Sequence, residues 1–246
     1  SFVDSVYFDS RIYPTDIMLS DIGVFADVMY KMPDLVHFET RFIGPIEHFQ
    51  VEDLKVEFGN ETHFEGNMSM HPLDFFYGQH TLNINKMHYS YDDLVHFYIP
   101  GNTETIPIPE SLKGLDRGNI KFNFKGSYKD FLADANITSG IGDIAANFNM
   151  DLQGANGTAF SGKVKAQRID VGTIANASNI IGSIDVDAEI SGRVKPHGTM
   201  EFDINGDAYN AYILDNTIDK IKLNGRLTDK RFNGIINIKD NELDLD

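Results

Sequence analysis

Alternation of apolar and polar residues with a period of two recurs along most of this 246-residue chain and constrains its fold more than any other feature. The longest run places Ile144, Ala146, Phe148, Met150 and Leu152 at every second position. Shorter runs of the same kind lie at 54–58, 120–125, 184–191, 200–205, 221–227, 232–238 and 243–246. Because successive side chains of a strand point to opposite faces, such runs predict strands with one apolar and one solvated face. This pattern is typical of antiparallel sheet, so we predict an all-β fold.

Only short helices are predicted beside the strands. Ser20 and Asp21 form a capping signal ahead of the apolar stretch 22–30, which predicts one short helix near 21–31. Asp170, as an N-cap residue, predicts a second short helix at 171–178, and a single helical turn is predicted at 110–112. The fold class is therefore mainly β with one or two short helices.

The best candidate for an internal boundary is the stretch 100–109, which is rich in Pro, Gly and Thr but too short to be a flexible linker. We therefore predict an N-terminal segment, 1–106, that contains the helix near 21–31, and a C-terminal segment, 107–246, that continues the same sheet. The alternation is already under way at the first residue and still running at the last. We expect the chain to be a segment of a longer protein or a mature piece of one.

The charge balance excludes several classes of partner. Lys and Arg number 21 and Asp and Glu number 37, which gives a formal net charge of −16. A chain this acidic, without a basic run, is poorly suited to nucleic acid, because phosphate neutralisation supplies most of that affinity. The chain has no Cys, which excludes disulfides, thiolate nucleophiles and Cys-ligated zinc. No stretch approaches the about 18 consecutive apolar residues that predict a membrane-spanning helix.

Histidine placement gives no metal-ligand signature. His37, His48, His63 and His96 each precede a Phe, which in a strand puts His and Phe on opposite faces. We expect the Phe side chains to point inward and the His side chains to lie in solvent. No two of these histidines have the helical spacing that zinc motifs use, so no metal site is predicted.

Acidic pairs and nucleophile motifs do not predict an enzyme either. Asp185 and Asp187 share a strand face, as do Asp244 and Asp246, and a solvated sheet face explains both pairs. No G-x-S-x-G motif occurs, and the glycines at 140 and 142 lack the third glycine of a dinucleotide fingerprint. We therefore expect no catalytic residues and no cofactor.

A local pattern of an apolar residue, any residue and then Gly recurs along the chain. Its glycines are Gly66, Gly126, Gly162, Gly192, Gly206, Gly225 and Gly234. Positions two apart share a strand face, so these glycines fall on the apolar face. Two interpretations stay open: ordinary strand ends and tight turns, or glycines that let a sheet curl around an apolar channel.

The apolar face itself is the candidate site, because a soluble monomer rarely leaves so large an apolar surface open without a binding role. Its candidate residues are Val56, Phe58, Ile120, Phe122, Phe124, Ile144, Phe148, Met150, Ile184, Val186, Ile190, Phe202, Ile204, Leu223 and Ile236. If the face closes on itself, these residues form a core. If it stays open, they form a continuous wall that can shield a lipid acyl chain.

The strand and glycine pattern resembles a known family. The stretch from Gly118 reads Gly-Asn-Ile-Lys-Phe-Asn-Phe-Lys-Gly. Further stretches of the same kind lie at 21–30, 58–70, 137–144, 209–212, 221–227, 232–238 and 240–246. Together they resemble the periplasmic repeats of TamB-like proteins of the AsmA superfamily, especially the Bacteroidetes branch. The resemblance covers most of the chain, although its motifs include no catalytic signature.

This resemblance implies a fold and a role. TamB-like proteins are anchored in the inner membrane by an N-terminal helix, and their periplasmic part is a long, curled antiparallel sheet, a taco-like groove with an apolar interior. They are implicated in moving phospholipid to the outer membrane and in outer-membrane protein assembly with a barrel partner of the Omp85 class. We expect the anchor and the partner-docking end to lie outside this chain.

Two other functions stay open at this stage. The same alternation can close into a β-sandwich or barrel that acts through its surface, as an adhesin-like domain does. An enzyme on a β scaffold, such as a carbohydrate hydrolase, would instead use paired carboxylates in a cleft. The preferred hypothesis is a non-enzymatic periplasmic segment with an apolar groove for phospholipid acyl chains.

Overall fold

The structure, a computed structural model, is all-β and antiparallel, with three short α-helices among the residues that it describes. It describes residues 6–24, 27–45, 47–71, 74, 76–101, 103–106, 108, 110–152, 157–195, 200–228, 231–239 and 244–245. The chain forms two compact units: unit 1, residues 1–128, and unit 2, residues 129–246. The position predicted as a boundary, between 106 and 107, lies inside unit 1.

Unit 1 contains a six-stranded antiparallel sheet in which consecutive strands pair in chain order. The strands are β1 (Tyr7–Met18), β2 (Leu35–Pro45), β3 (Phe49–Phe58), β4 (Thr62–Met70), β5 (His80–Ser90) and β6 (Arg117–Gly126). Helix α1 (Leu19–Ile22) and a 3₁₀ helix (Asp27–Met29) connect β1 to β2. Helix α2 (Tyr91–His96) and a 3₁₀ helix (Glu110–Leu115) connect β5 to β6.

Consecutive strands of unit 2 also pair in chain order. Its strands are β7 (Asp130–Ser139), β8 (Gly142–Asp151), β9 (Thr158–Asp170), β10 (Ser183–Val194), β11 (Met200–Ile213), β12 (Asn216–Thr228), β13 (Arg231–Lys239) and β14 (Asp244–Leu245). Each strand pairs antiparallel with the next. Helix α3 (Val171–Ala175) connects β9 to β10.

The helix predictions have mixed outcomes. The second is confirmed: the Asp170 side chain accepts a hydrogen bond of 2.9 Å from the Thr173 backbone N–H, and Asn176 ends α3 in the left-handed conformation. In place of one helix over 21–31, the chain forms α1 and the 3₁₀ helix that follows it; Phe25 and Ala26 lie outside the described residues. The predicted capping residues Ser20 and Asp21 do not cap α1, because Met18 occupies the N-cap position, where no side chain forms a capping hydrogen bond.

Bulges shift the alternation without breaking the apolar face. In β3 the register shifts between Val51 and Leu54, where Asp53 adopts a positive φ of 50°. The extra residue returns Leu54 to the face that Val51 occupies, and both side chains are buried. The two-residue period is therefore interrupted in the sequence but continuous on the sheet.

The core of unit 1 lies where its two helical connections cover the apolar sheet face. The buried cluster joins Leu19 and Met32 from the β1–β2 connection to side chains of β2 and β3. Those strand residues are Val36, Phe38, Val51, Leu54 and Val56. Phe97 and Tyr98, which follow α2, pack against the same cluster. We call residues 19–24, 27–34 and 97–101 the cap.

Candidate functional site: the apolar sheet face

Strand register in unit 2 assembles four straight rows of residues on one face of the sheet, crossing β8 to β13. The rows are Ile144–Ala166–Val186–Ala208–Ile221–Ile238, Ala146–Val164–Ala188–Gly206–Leu223–Ile236, Phe148–Gly162–Ile190–Ile204–Gly225–Gly234 and Met150–Phe160–Gly192–Phe202–Leu227–Phe232. We call these residues the unit 2 apolar face. All 24 positions carry an apolar side chain or glycine. A surface of this size without one polar side chain has nowhere to fix a polar ligand.

The opposite face of the same strands is polar. Its rows are Ala145–Lys165–Asp187–Asp207–Lys222–Asn237, Asn147–Lys163–Glu189–Asn205–Asn224–Ile235 and Asn149–Ser161–Ser191–Asp203–Arg226–Asn233. Charged neighbours pair across strands, for example Lys165 Nζ with Asp187 Oδ2 at 2.9 Å. These side chains are exposed, so each pair contributes little to stability. The sheet of unit 2 is thus amphipathic from one face to the other.

The side chains of the unit 2 apolar face are mostly half-buried. Small side chains such as Ala188 and Ala208 are buried, whereas Phe148, Ile190 and Ile204 keep part of their surface accessible. Among the described elements of unit 2, the extensive contacts join strands adjacent in the sheet, and α3 adds contact with β10. Neighbouring side chains therefore supply most of the cover on this face.

Glycines on this face lie inside strands rather than at turns. A Cβ on Gly162 would meet the backbone oxygen of Asn147 and lie 2.6 Å from the ring of Phe148. A Cβ on Gly225 would lie 2.6 Å from the ring of Phe232. The interpretation of these glycines as strand ends is therefore wrong at these positions. They mark places where the neighbouring strand approaches too closely for a side chain.

Gly162→Ala is expected to lower the free energy of unfolding by about 2 kcal/mol, because the added methyl overlaps a backbone oxygen and an aromatic ring. Ser161→Ala is the matched control, since Ser161 is the preceding residue and lies on the exposed polar face. It is expected to change stability by about 0.5 kcal/mol or less. Denaturant unfolding measures both values, and equal stability of the two variants would contradict the close approach.

The candidate residues in unit 2 share one face. Nine of them occupy the four rows: Ile144, Phe148, Met150, Val186, Ile190, Phe202, Ile204, Leu223 and Ile236. Ile184 lies on the same face of β10, opposite Ile169, and is buried. Ile236 is the most open of the candidates, with 49% of its surface exposed.

The candidate residues in unit 1 also share one face, but the cap contacts only some of them. Ile120, Phe122 and Phe124 pair across the sheet with Met87, Ile84 and Leu82. Val56 belongs to the buried cluster beneath the cap. The ring of Phe58 lies 4.4 Å from that of Phe97. Sequence reasoning did not identify the cap, since its contacts join segments far apart in the chain.

His37 and His63 lie on the polar face of unit 1, as expected, and the phenylalanines that follow them point to the other face. Register places three of the eight histidines in one cross-strand row, Asp16–His37–Glu57–His63–His88–Asn119. The Nδ1 of His37 lies 3.0 Å from Asp16 Oδ1. Within the described ranges, no three His, Asp or Glu side chains are placed to hold a metal ion.

A second histidine group lies at the opposite ends of the strands β3, β4 and β5. The rings of His48 and His71 stack at 4.1 Å, and His80 lies 6.1 Å from His71. Burial, followed by the neighbouring His48 and His80, lowers the pKa of His71. These rings pack on one another and not around an open cleft.

Asp185 and Asp187, the acidic pair that the structure describes, do not converge on one site. Asp185 accepts hydrogen bonds from the Arg168 backbone N–H and the Asn210 side chain, both at 2.7 Å, and these bonds lower its pKa. Asp187 pairs instead with Lys165. The side chains of Asp244 and Asp246 lie outside the described residues. Each described carboxylate of the pair thus has its own structural partner.

None of the helices in the described ranges is long and apolar enough to cross a membrane. Comparison of the chain with known protein families, with curated proteins and with solved structures finds no match.

Proposed function

We propose that this chain is a non-enzymatic periplasmic segment of a TamB-like, bridge-type carrier that shields phospholipid acyl chains. In this proposal the sheet is long and curled, and its apolar face lines a taco-like groove. The observation that carries the proposal is the unit 2 apolar face, 24 consecutive cross-strand positions without a polar side chain. The inner-membrane anchor and an outer-membrane partner of the Omp85 class would lie outside this chain.

The dimensions and energetics of this face suit an acyl chain. Six strands at a spacing of about 4.8 Å make a face about 24 Å across. About 16 methylenes buried against it would gain on the order of 12 kcal/mol before ordering costs. Because hydrophobic contact is non-directional, a chain can shift along the rows without breaking hydrogen bonds. Passage of lipid along the face requires such tolerance.

The glycines support the same proposal. Gly162, Gly192 and Gly225 lie on the apolar face where neighbouring backbone leaves no room for a Cβ. Missing side chains on one face let a sheet bend toward that face. Bending of this kind would convert an amphipathic sheet into a groove that is apolar inside and polar outside.

The other two candidate functions have weaker support. Enzymatic hydrolysis needs two carboxylates converging in a cleft, whereas Asp185 and Asp187 have separate structural partners. A closed interaction domain needs a layer that buries the apolar face, and such cover is found in unit 1 beneath the cap. In unit 2 most of the large side chains on the face remain half-buried. An open binding face therefore accounts best for unit 2.

Stoichiometric phospholipid is expected in the protein when the full chain is purified without detergent, extracted with organic solvent and analysed by mass spectrometry. A soluble β-protein of similar size, expressed and purified in the same way, controls for lipid carry-over. A folded protein with a lipid-free extract that also fails to take up acyl chains from vesicles would contradict the proposal. The alternation would then describe a closed β domain.

A further inference from the structure

The cap of unit 1 occupies an apolar surface of the same kind as the unit 2 apolar face. Met32, only 1% exposed, and Leu19, 7% exposed, lie in one cluster with side chains of β2 and β3. Ile22, Met29 and Phe97 pack against that cluster from the same two connections. Apolar side chains of the chain itself thus fill the position that an acyl chain would take.

Hydrogen bonds tie the two cap segments to each other. The Gly101 backbone N–H donates to the Val28 carbonyl at 2.6 Å, and the Tyr98 backbone N–H donates to the Asp34 carboxylate at 3.2 Å. Within the first segment, the Leu19 backbone N–H donates to the Asp34 carbonyl at 2.9 Å. Burial raises the pKa of Asp34, and the bond from Tyr98 partly offsets this effect. The cap therefore consists of two segments that these bonds join to each other, and each segment meets the strands through apolar contact.

Helix α2 is attached to the sheet by bonds that do not involve the cap. Asp93 in α2 accepts hydrogen bonds from Asn60, Glu61 and Thr62 at the β3–β4 turn. These bonds hold α2 to the sheet edge before the second cap segment begins at Phe97. Displacement of the cap would break apolar contacts and leave this anchor in place.

We propose that the apolar face of unit 1 beneath the cap is a second acyl-binding surface, and that the cap is an intramolecular occupant which an acyl chain displaces. The inference rests on the proposed function, since it assigns the same ligand class to both faces. Apolar contacts have little directional preference, so a hydrocarbon chain can replace Leu19, Met32 and Phe97 against β2 and β3. The cap then controls when unit 1 accepts a ligand.

A disulfide across the cap tests this proposal. The chain has no Cys, so two introduced cysteines have no competing thiols. A Cβ built on Gly101 lies 3.8 Å from the Val28 Cβ, close to the usual separation in a disulfide. Val28→Cys with Gly101→Cys should therefore join the two segments when oxidised and release them when reduced. In the proposed displacement the two segments separate, so the oxidised protein keeps the face beneath them covered. Because Gly101 has a φ of +79°, the Gly101→Cys single variant controls for backbone strain.

The readout is labelling of the full chain by a photoactivatable phospholipid supplied in phosphatidylcholine vesicles, with labelled peptides mapped by mass spectrometry. We expect oxidation to reduce labelling of β2 and β3 at least about tenfold, and reduction to restore it. Labelling of the unit 2 apolar face should be the same in both states. Equal labelling of β2 and β3 in both states would overturn the proposal.

A release variant gives the opposite expected change and does not depend on disulfide formation. Phe97→Asp removes the ring that packs on Phe58 and is expected to increase labelling of β2 and β3. His96→Asp is the matched control, because His96 is the preceding residue and is exposed. If unit 2 is labelled but β2 and β3 stay unlabelled in both the reduced and the Phe97→Asp proteins, the cap proposal fails alone. If unit 2 is not labelled either, the proposed function fails with it.

Discussion

Acyl capture by unit 2 is expected to fall by at least about 100-fold, the effect of one such charge, when two aspartates are placed in its third row, as Phe148→Asp with Ile204→Asp. Both residues lie on the unit 2 apolar face, three strands apart in one row. A carboxylate held against hydrocarbon costs about 2.5–3.5 kcal/mol, and a cost of about 1.4 kcal/mol lowers affinity tenfold. The two charges lie about 14 Å apart, which leaves only short uncharged stretches of the row.

The control adds the same two charges to the same strands on the other face. Asn149→Asp with Asn205→Asp changes exposed residues that directly follow Phe148 and Ile204. Phospholipid bound per chain, measured by mass spectrometry after incubation with vesicles, is expected to match the unsubstituted protein in this control. Circular dichroism and thermal unfolding establish that both double variants fold. Full capture by the folded Phe148→Asp, Ile204→Asp protein would exclude the unit 2 apolar face as the binding surface.

Much of this face could be predicted from the sequence because its signal is local. A period of two places Phe148 and Met150 on one face of β8 whatever the partner strand is. The same reasoning assigned Ile190 and Ile204 to the apolar side of their own strands. The helix α3 was predicted for a similar reason, since Asp170 caps it from the adjacent position. Features that depend only on residues adjacent in sequence, such as the face of a strand or the cap of a helix, can be predicted from the sequence.

Features that depend on register or on distant contacts could not be predicted. The row that contains His37, His63 and His88 exists only once the four strands β2 to β5 are aligned, and bulges such as that at Asp53 shift the alignment. The cap covers Val56 and Phe58 through contacts with residues far along the chain. Nothing in the alternation of β3 distinguishes a covered strand from an open one.

Asp93→Ala is expected to destabilise the protein by on the order of 3 kcal/mol or more, the largest stability effect we predict for an α2 residue. Asp93 is buried, and its carboxylate accepts the backbone N–H groups of Asn60, Glu61 and Thr62 at 2.9–3.0 Å. The Thr62 hydroxyl donates a fourth bond at 2.8 Å and itself accepts the Ser90 N–H at 3.1 Å. Removal of the carboxylate leaves the backbone N–H and the hydroxyl of buried Thr62 without this acceptor, and each unsatisfied buried donor costs about 1–3 kcal/mol.

Asp92→Ala is the matched control for this variant, because Asp92 is the preceding residue of α2 and is exposed. Its expected change is about 0.5 kcal/mol or less. Denaturant unfolding at neutral pH gives both free energies, and a cost for Asp93→Ala no larger than that for Asp92→Ala would show that the anchor is not important. Space at the site is tight as well, since a Cβ on Gly59 would collide with the Asp93 carboxylate.

The charge of Asp93 gives the anchor a pH dependence of known sign. Burial opposes ionisation, but the bonds from Asn60, Glu61 and Thr62 outweigh it, so the pKa of Asp93 is lowered in the folded protein. An acid with a lowered pKa contributes stability that is fully present above its unfolded pKa of about 3.9 and is lost as pH falls through its folded pKa. Asp93→Asn keeps the shape of the side chain but removes the titrating carboxyl group. The stability difference between the unsubstituted protein and Asp93→Asn should therefore shrink as pH falls below about 4. A difference that stays constant from neutral pH to pH 3 would mean that the anchor does not depend on the carboxylate charge.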